Sequence, residues 1–159
     1  MHTYLDIILS THSLLRYLVL GLTLIVAIQS LMGMMGKKKF QKANKMGALF
    51  MMIFCDVQLL AGLALYFMKG YPQQFSGGEA MKNPSVRFFA LEHPLCMVIG
   101  IVLVHIGYSI TKKNIDDDRK FKRLFWCSLL ALVFFLARTP WPGGKEVSRP
   151  LLPAITLPY

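Results

Sequence analysis

Four long apolar runs, separated by short polar segments, dominate this sequence of 159 residues. A helix needs roughly 20 apolar residues to cross the hydrocarbon core of a bilayer, with a lower limit near 17. The runs cover residues 14–35, 47–68, 88–110 and 121–137, and each meets that requirement. We therefore predict an all-α, integral membrane four-helix bundle that forms one transmembrane domain over residues 1–159.

The basic residues lie mainly in the loops, and they predict the orientation of the bundle. The segment KKKFQKANK, between the first two runs, holds five lysines, and KKNIDDDRKFKR, between the last two, holds six Lys or Arg. Because short basic loops stay on the cytoplasmic side, both of these loops are predicted to face inward. Both termini and the loop of residues 69–87 are then predicted to lie outside, which in a bacterium is the periplasm.

Composition and cysteine spacing exclude several classes of protein. The net charge of +10 sits beside apolar runs, so membrane topology explains it better than nucleic-acid binding, and the lipid bilayer is the predicted partner. Cys55, Cys96 and Cys127 lie inside apolar runs with no CxxC or CxxCH motif, which argues against a disulfide framework, a zinc knuckle and a c-type haem. A Ser–His–Asp arrangement and an HEXXH motif are both lacking, so a hydrolase is not expected.

Polar side chains gather near one end of the predicted bundle. His12 and Arg16 are four residues apart, hence on one helix face, at the head of the first run. Glu92 and His93 stand near the head of the third run, which crosses in the same direction. We therefore expect the two histidines at similar depth. Arg87 and Arg138 are expected at the same end, whereas Gln58 is expected near mid-membrane on the second run.

Pro94 follows directly after His93 and constrains the start of the third helix. A proline lacks an N–H, so a helix that continues through Pro94 frees the carbonyl of Ala90. Proline also disfavours helical geometry in the residue before it. We expect the helix either to begin at Pro94 or to kink there, with His93 directed differently from a regular helical residue.

Two histidines on neighbouring helices are candidate axial ligands of one haem b, since neutral imidazole binds iron and helix bundles hold cofactors in their cores. In this interpretation His12 and His93 are the metal ligands, the arginines face the two propionates, and Glu92 or Asp56 accepts the second N–H of an imidazole. The alternative is that both histidines are interfacial residues that hydrogen-bond to backbone, to Glu92 and to each other.

Two more ionisable residues lie deeper in the runs. Asp56 is the single charge of the second run, and it needs a partner or a proton inside a membrane. His105 lies 12 residues beyond His93, about 18 Å deeper at 1.5 Å per residue, and we expect it to bond across to a neighbouring helix.

Two segments outside the runs also carry predictions. The loop YPQQFSGGEAMKNPS is rich in turn residues and is expected to be irregular. The tail KEVSRPLLPAITLPY holds three prolines and many apolar residues, so we expect it to lie along the membrane surface or against a partner.

Four motifs, THSLLRY, QLLAGLALYF, RFFALEHPLCMVIGIVL and ARTPWP, resemble in order those of small bacterial four-helix membrane proteins catalogued as cytochrome-b-like. The resemblance covers nearly the whole chain and implies a multi-pass protein of the bacterial inner membrane that binds haem b. It carries over His12 and Arg16 from the first motif, His93 from the EHP triplet, and Gln58 and Arg138 as associated polar positions. Larger cytochromes b place two histidines inside each of two helices, a pattern that this chain lacks.

Three functions follow as hypotheses. The first is a cytochrome-b-like subunit with one haem b near the periplasmic side, which transfers electrons within a respiratory or other membrane complex. Its expected partners are other membrane subunits, with quinone as a further candidate, and it is expected to be a non-catalytic subunit. The second is a non-redox accessory subunit of a larger complex. The third is a small transporter or proton relay that uses Asp56, Glu92 and His93.

Overall fold

The computed structural model describes residues 2–143 and 147–151, and all regular structure in them is helical. Helices of very different length alternate with short connections. In chain order they are α1 (His2–Met35), α2 (Lys42–Met68), α3 (Tyr71–Ser76), α4 (Glu79–Lys82), α5 (Pro84–Arg87), a π-helical turn (Phe88–Glu92), α6 (His93–Thr111) and α7 (Asp117–Ala137).

The four long helices pack around one core. α1 contacts α2 and α7, and α6 contacts the same two helices, so each long helix has two long neighbours. Short connections join α1 to α2 and α6 to α7, as expected for antiparallel neighbours. The end at which α1 and α6 begin carries His12 and His93, and we call it the histidine end. We call the opposite end, with its basic connections, the lysine end.

Within the part of the chain that the structure describes, three helical stretches are long and apolar enough to cross a membrane. They are Tyr4–Met35 with 32 residues, Lys42–Met68 with 27 and Pro84–Thr111 with 28, all above the roughly 20 that a bilayer requires. Large apolar side chains such as Ile25, Leu60 and Val102 point away from the core, as they do in helices that face lipid. The prediction of an all-helical membrane protein is thus confirmed at this level.

α7 differs from the other long helices because it begins with charge. Six of its first seven residues, DDRKFKR, are ionisable. The apolar remainder covers residues 124–137, which is 14 residues or about 21 Å of helix. That length is short of a roughly 30 Å hydrocarbon core, and α7 is not among the three stretches named above, so the expectation that the fourth run also meets the length requirement is not confirmed.

Glycines allow α6 to approach α7 closely. A Cβ added to Gly100 would overlap the ring of Phe135, and one added to Gly107 would lie 3.1 Å from the Cβ of Cys127. Small residues are the usual means by which membrane helices come together. Gly100 and Gly107 therefore lie where α6 and α7 come closest to each other's side chains.

Buried hydroxyl groups are satisfied within their own helices. Thr23 donates to the carbonyl of Val19 at 2.7 Å, and Ser128 donates to that of Leu124 at 2.8 Å. Each side chain is fully buried, where an unpaired hydroxyl would be costly. The bond to a carbonyl one turn earlier lets a polar residue sit in the core without a partner from another helix.

The helix that holds His93 runs through Pro94 and does not begin there. His93 has helical torsions, φ −62° and ψ −54°, so the expectation that Pro94 displaces it from helical geometry is wrong. The irregularity lies earlier, in the π-helical turn, where the amide of His93 bonds to the carbonyl of Phe88. The carbonyl of Ala90, the one that Pro94 leaves without its helical donor, accepts a 3.0 Å hydrogen bond from the Tyr66 hydroxyl.

The loop after α2 is ordered into short helices, so the prediction of an irregular loop is wrong. Asn83 explains one of them, because its side-chain oxygen accepts hydrogen bonds from the amides of Ser85 and Val86. Pro84 occupies the first position of that helix, where the missing N–H costs nothing. The Asn83–Pro84 pair therefore begins a helix here, although the composition of the segment is typical of turns.

Most of the tail predicted to lie along the membrane surface or a partner falls outside the described residues. Within the described part, the carbonyl of Leu151 accepts hydrogen bonds from Arg16 and Tyr17 of α1. Residues 147–151 therefore return to the histidine end of the bundle.

The Gly100 contact predicts a large effect of a single substitution. Gly100→Val should lower the unfolding free energy by about 1–3 kcal/mol, because the added side chain must displace Phe135 or separate α6 from α7. Thermal unfolding in detergent, followed by circular dichroism, measures the loss. Gly21→Val is the matched control, since a Cβ at Gly21 meets nothing within 4 Å. Equal melting temperatures for the two variants would contradict the packing described here.

Candidate functional site

A cavity of about 510 Å³ opens at the histidine end between α1, α2 and α6. Its volume lies within the roughly 300–1,000 Å³ of small-molecule and cofactor sites. Most of its wall is apolar. Apolar side chains from all four long helices contribute to it, including Val19, Leu59, Ile101 and Phe135, and a smaller number of polar groups point into it.

His12 and His93 lie together in this cavity. Their ring centres are 6.4 Å apart and their planes are inclined by 73°. α1 and α6 supply the two imidazoles at the same level because both helices start at the histidine end. The structure thus brings together the two histidines that the sequence placed at similar depth.

The hydrogen bond of His93 fixes which of its nitrogens carries a proton. Nδ1 lies 2.7 Å from the carbonyl oxygen of Arg138, and a carbonyl can only accept, so the Nδ1–H donates. Nε2 then keeps its lone pair, which is the form that binds a metal. The expectation that Glu92 or Asp56 accepts this N–H is wrong, because the backbone carbonyl of Arg138, directly after α7, accepts it. The ring also stacks on Phe88, with centres 5.9 Å apart.

His12 is held by its surroundings more than by bonds to its ring. Gln58 donates to its backbone carbonyl at 2.9 Å. Gly62 on α2 leaves room for the ring, since a Cβ there would lie 3.2 Å from the imidazole Cε1. Gly62 thus makes room for the side chain of a candidate ligand.

Three buried polar atoms on this wall have no hydrogen-bond partner among residues 2–143 and 147–151: His12 Nδ1, Arg16 Nε and Gln58 Oε1. Buried polar atoms in proteins are paired in the great majority of cases. All three residues line the cavity. Their unused capacity points to a polar occupant of the site.

Arg16 is the one predicted arginine that lines the cavity. Its guanidinium donates to the Tyr17 hydroxyl and the Leu151 carbonyl, each at 3.1 Å, and lies 4.8 Å from the Tyr17 ring centre. Among the ion pairs of the described residues, none includes Arg16. Its positive charge is therefore available to an anion in the cavity.

Arg87 and Arg138 are engaged elsewhere. The carboxylate of Glu92 lies 2.9 Å from Arg87 and 3.7 Å from Arg138. These three residues form a charged group outside the cavity wall, and it joins the entry of α6 to the end of α7. The expectation that Arg87 and Arg138 face propionates does not fit this geometry, because both lie beside Glu92 outside the cavity.

Two cations that the sequence reasoning missed stand at the cavity mouth, Lys69 after α2 and Arg149 from the tail. Burial, and then the charge of Arg149, lowers the pKa of Lys69, while Asp6 opposes the change. The guanidinium of Arg149 lies 5.3 Å from the ring centre of Phe89. With Arg16, three cations line the cavity, against the one carboxylate of Asp6 among its lining residues. Lys69 follows an apolar run and Arg149 lies in a proline-rich segment, so no spacing in the sequence indicates that they meet.

Asp56 and His105 form a separate pair outside this cavity. Nε2 of His105 lies 2.8 Å from Oδ1 of Asp56. The predicted bond from His105 to a neighbouring helix is confirmed, and Asp56 has the partner that its position in the second run requires.

Among the described residues, no group of three His, Cys, Asp or Glu side chains could hold a metal ion by itself. The two imidazoles instead suit a metal whose other ligands come from a cofactor. Comparison with protein-family models, with curated proteins and with solved structures finds no match, so any inference about function rests on the residues of the site.

The Glu92 group predicts a stability effect independent of any ligand. Glu92→Gln should lower the unfolding free energy by about 1 kcal/mol, because it removes the negative charge that pairs with two partly buried arginines. The control is Asp116→Asn, whose pair with Arg119 is mostly exposed and should contribute nothing measurable. Thermal melts of both variants in the same detergent make the comparison. An effect of Asp116→Asn as large as that of Glu92→Gln would contradict the role given to Glu92.

Proposed function

We propose that this chain is a cytochrome-b-like membrane subunit that binds one haem b at the histidine end, with His12 and His93 as axial ligands. The observation that carries the proposal is the 6.4 Å between the imidazole centres. Bonds from a metal to imidazole nitrogen are about 2.0–2.1 Å long, so two imidazoles on opposite sides of one metal have ring centres roughly 6 Å apart. The resemblance to cytochrome-b-like proteins is part of the same proposal.

The surroundings of the two rings support this assignment. The Nδ1–H of His93 donates to a backbone carbonyl, the usual way in which a protein orients a metal-binding histidine. The apolar wall, with side chains such as Met97 and Phe135, matches a macrocycle. The absence of a side chain at Gly62 leaves room for the ring of His12.

The cations of the cavity wall support a ligand with two carboxylates. Arg16, Lys69 and Arg149 line the cavity, and among its lining residues Asp6 supplies the opposing carboxylate. Two propionates would neutralise the excess of two positive charges through charge-assisted hydrogen bonds. The same three cations make the site unsuitable for a cationic ligand.

When bound, haem supplies one-electron redox chemistry. His12 and His93 would hold the group, the apolar wall would surround it, and the cationic side chains would pair with its anionic groups. The proposal includes α7 as a fourth, short membrane helix and both termini on the periplasmic side, since the lysine end carries the basic connections. The protein would then transfer electrons within a complex of the bacterial inner membrane, with other subunits or quinone as partners.

An absorbance spectrum of the purified protein, before and after dithionite, tests the haem assignment. We expect a Soret band that shifts on reduction, together with sharp α and β bands, from a six-coordinate haem. His12→Ala and His93→Ala should each remove the low-spin spectrum, and His105→Ala, outside the cavity, should leave it unchanged. A featureless spectrum from folded protein expressed with added haem would refute the proposal.

The positive charge of Arg16 in the cavity wall gives a second, more local prediction. Arg16→Met should weaken haem retention about tenfold, since a hydrogen bond to a charged group contributes about 1.5–3 kcal/mol. Arg87→Met is the matched control, because Glu92 already neutralises Arg87 outside the cavity. Transfer of haem to excess apomyoglobin measures retention in both variants. Equal losses from the two would show that Arg16 has no special part in binding.

A non-redox accessory subunit is the second candidate, and the Glu92 group favours it. Arg87, Glu92 and Arg138 connect α6 with the end of α7 without any cofactor. A purified protein that has no pigment and carries partner subunits in fixed ratio would support this function over the first.

A further inference from the structure

The Asp56–His105 pair lies on the outer surface of the bundle, where α2 and α6 meet. The side chain of Asp56 is 40% exposed and that of His105 is 47% exposed. Exposed apolar side chains surround the pair on both helices, among them Ile53, Leu60 and Val102. Both helices belong to stretches able to cross a membrane. A polar pair therefore faces outward within an apolar belt.

Lipid is a poor environment for this pair. A charged residue at the centre of a membrane helix costs about 2.5–3.5 kcal/mol on insertion scales. Asp56 lies 12 residues before the end of α2 and 14 after its start, far from either terminus. His105 can neutralise the charge of Asp56, but it does not satisfy the other polar atoms of the two side chains.

Each side chain keeps one unused hydrogen-bonding atom. The pair uses Oδ1 of Asp56 and Nε2 of His105, which leaves Oδ2 and Nδ1. No further hydrogen bond to either side chain is found within residues 2–143 and 147–151. Lipid tails offer neither donors nor acceptors, so both atoms would remain unsatisfied against hydrocarbon.

The electrically neutral forms of the pair present a specific pattern outward. A carboxylate with an imidazolium leaves an Nδ1–H donor and an Oδ2 acceptor. A protonated carboxyl that donates to Nε2 leaves the same two groups, an Nδ1–H and a carbonyl oxygen. In either form the pair shows one donor beside one acceptor, and a twofold axis places the donor of one such pair opposite the acceptor of another.

We propose that a second copy of this chain covers the pair, so that the α2–α6 surface is a twofold dimer interface. Nδ1–H of His105 in one copy donates to Oδ2 of Asp56 in the other, and the reverse bond forms as well. The axis runs along the membrane normal because both copies insert with the same orientation. Interhelical hydrogen bonds and side-chain packing are the interactions that drive helix association in lipid. The inference does not depend on haem.

Disulfide cross-linking in lipid vesicles tests the interface without altering the pair. In a background with Cys96→Ala and Cys127→Ala, Val102→Cys places a thiol one turn before His105 on the same surface. Val133→Cys is the matched control, a similarly exposed valine on α7. We expect cross-linked dimer from Val102→Cys at least tenfold above that from Val133→Cys, at high lipid-to-protein ratios. Equal yields, or dimer only through Val133→Cys, would overturn the proposal.

The pair itself is then replaced. Asp56→Leu with His105→Leu should reduce Val102→Cys cross-linking at least tenfold and leave the helical content unchanged. The exchange Asp56→His with His105→Asp keeps one donor and one acceptor on the surface and should retain cross-linking. Undiminished dimer in the leucine variant would overturn the proposal. Cross-linking of Val102→Cys in native membranes to a different protein alone would also overturn it, since the cover would then be another subunit.

Discussion

A polar group inside a hydrocarbon layer must find its partner within the protein, and this constraint organises the bundle. Buried hydroxyls such as that of Thr23 donate to carbonyls one turn earlier in their own helix. The carbonyl of Ala90, which Pro94 deprives of its helical donor, accepts the Tyr66 hydroxyl from α2. Each solution preserves long apolar helices, because the partner comes either from the same helix or from one neighbour.

Both proposals concern places where this rule is not met within the described residues. Unpartnered atoms of His12, Arg16 and Gln58 share one cavity wall. Unsatisfied atoms also lie on the outer surface, at Asp56 and His105, which do not line that cavity. The first group therefore suits a cofactor inside the bundle, and the second suits a protein surface outside it. Both inferences use the same physical argument, that a polar atom shielded from water needs a hydrogen-bond partner.

Apolar length predicted the three membrane-spanning stretches because it is a local property of the sequence. The orientation inferred from loop charge stays a prediction. The meeting of His12 and His93 could also be predicted, since it needs only the direction of two helices. The orientation of His93 could not, because it depends on an Arg138 carbonyl 45 residues away and on an extra residue in the π-helical turn. Lys69 and Arg149 were missed for a related reason, as loops and tails bring charges together without any fixed spacing.

The geometry also distinguishes between the functional hypotheses. A proton relay through Asp56, Glu92 and His93 needs these groups within reach of one another. Asp56 instead pairs with His105, which lies 12 residues beyond His93 on α6, about 18 Å along the helix. Glu92 is paired with two arginines, and the Nδ1–H of His93 donates a hydrogen bond to a backbone carbonyl. Each of the three residues thus already has another partner. This arrangement suits a site that holds a ligand rigidly better than a path along which protons must move.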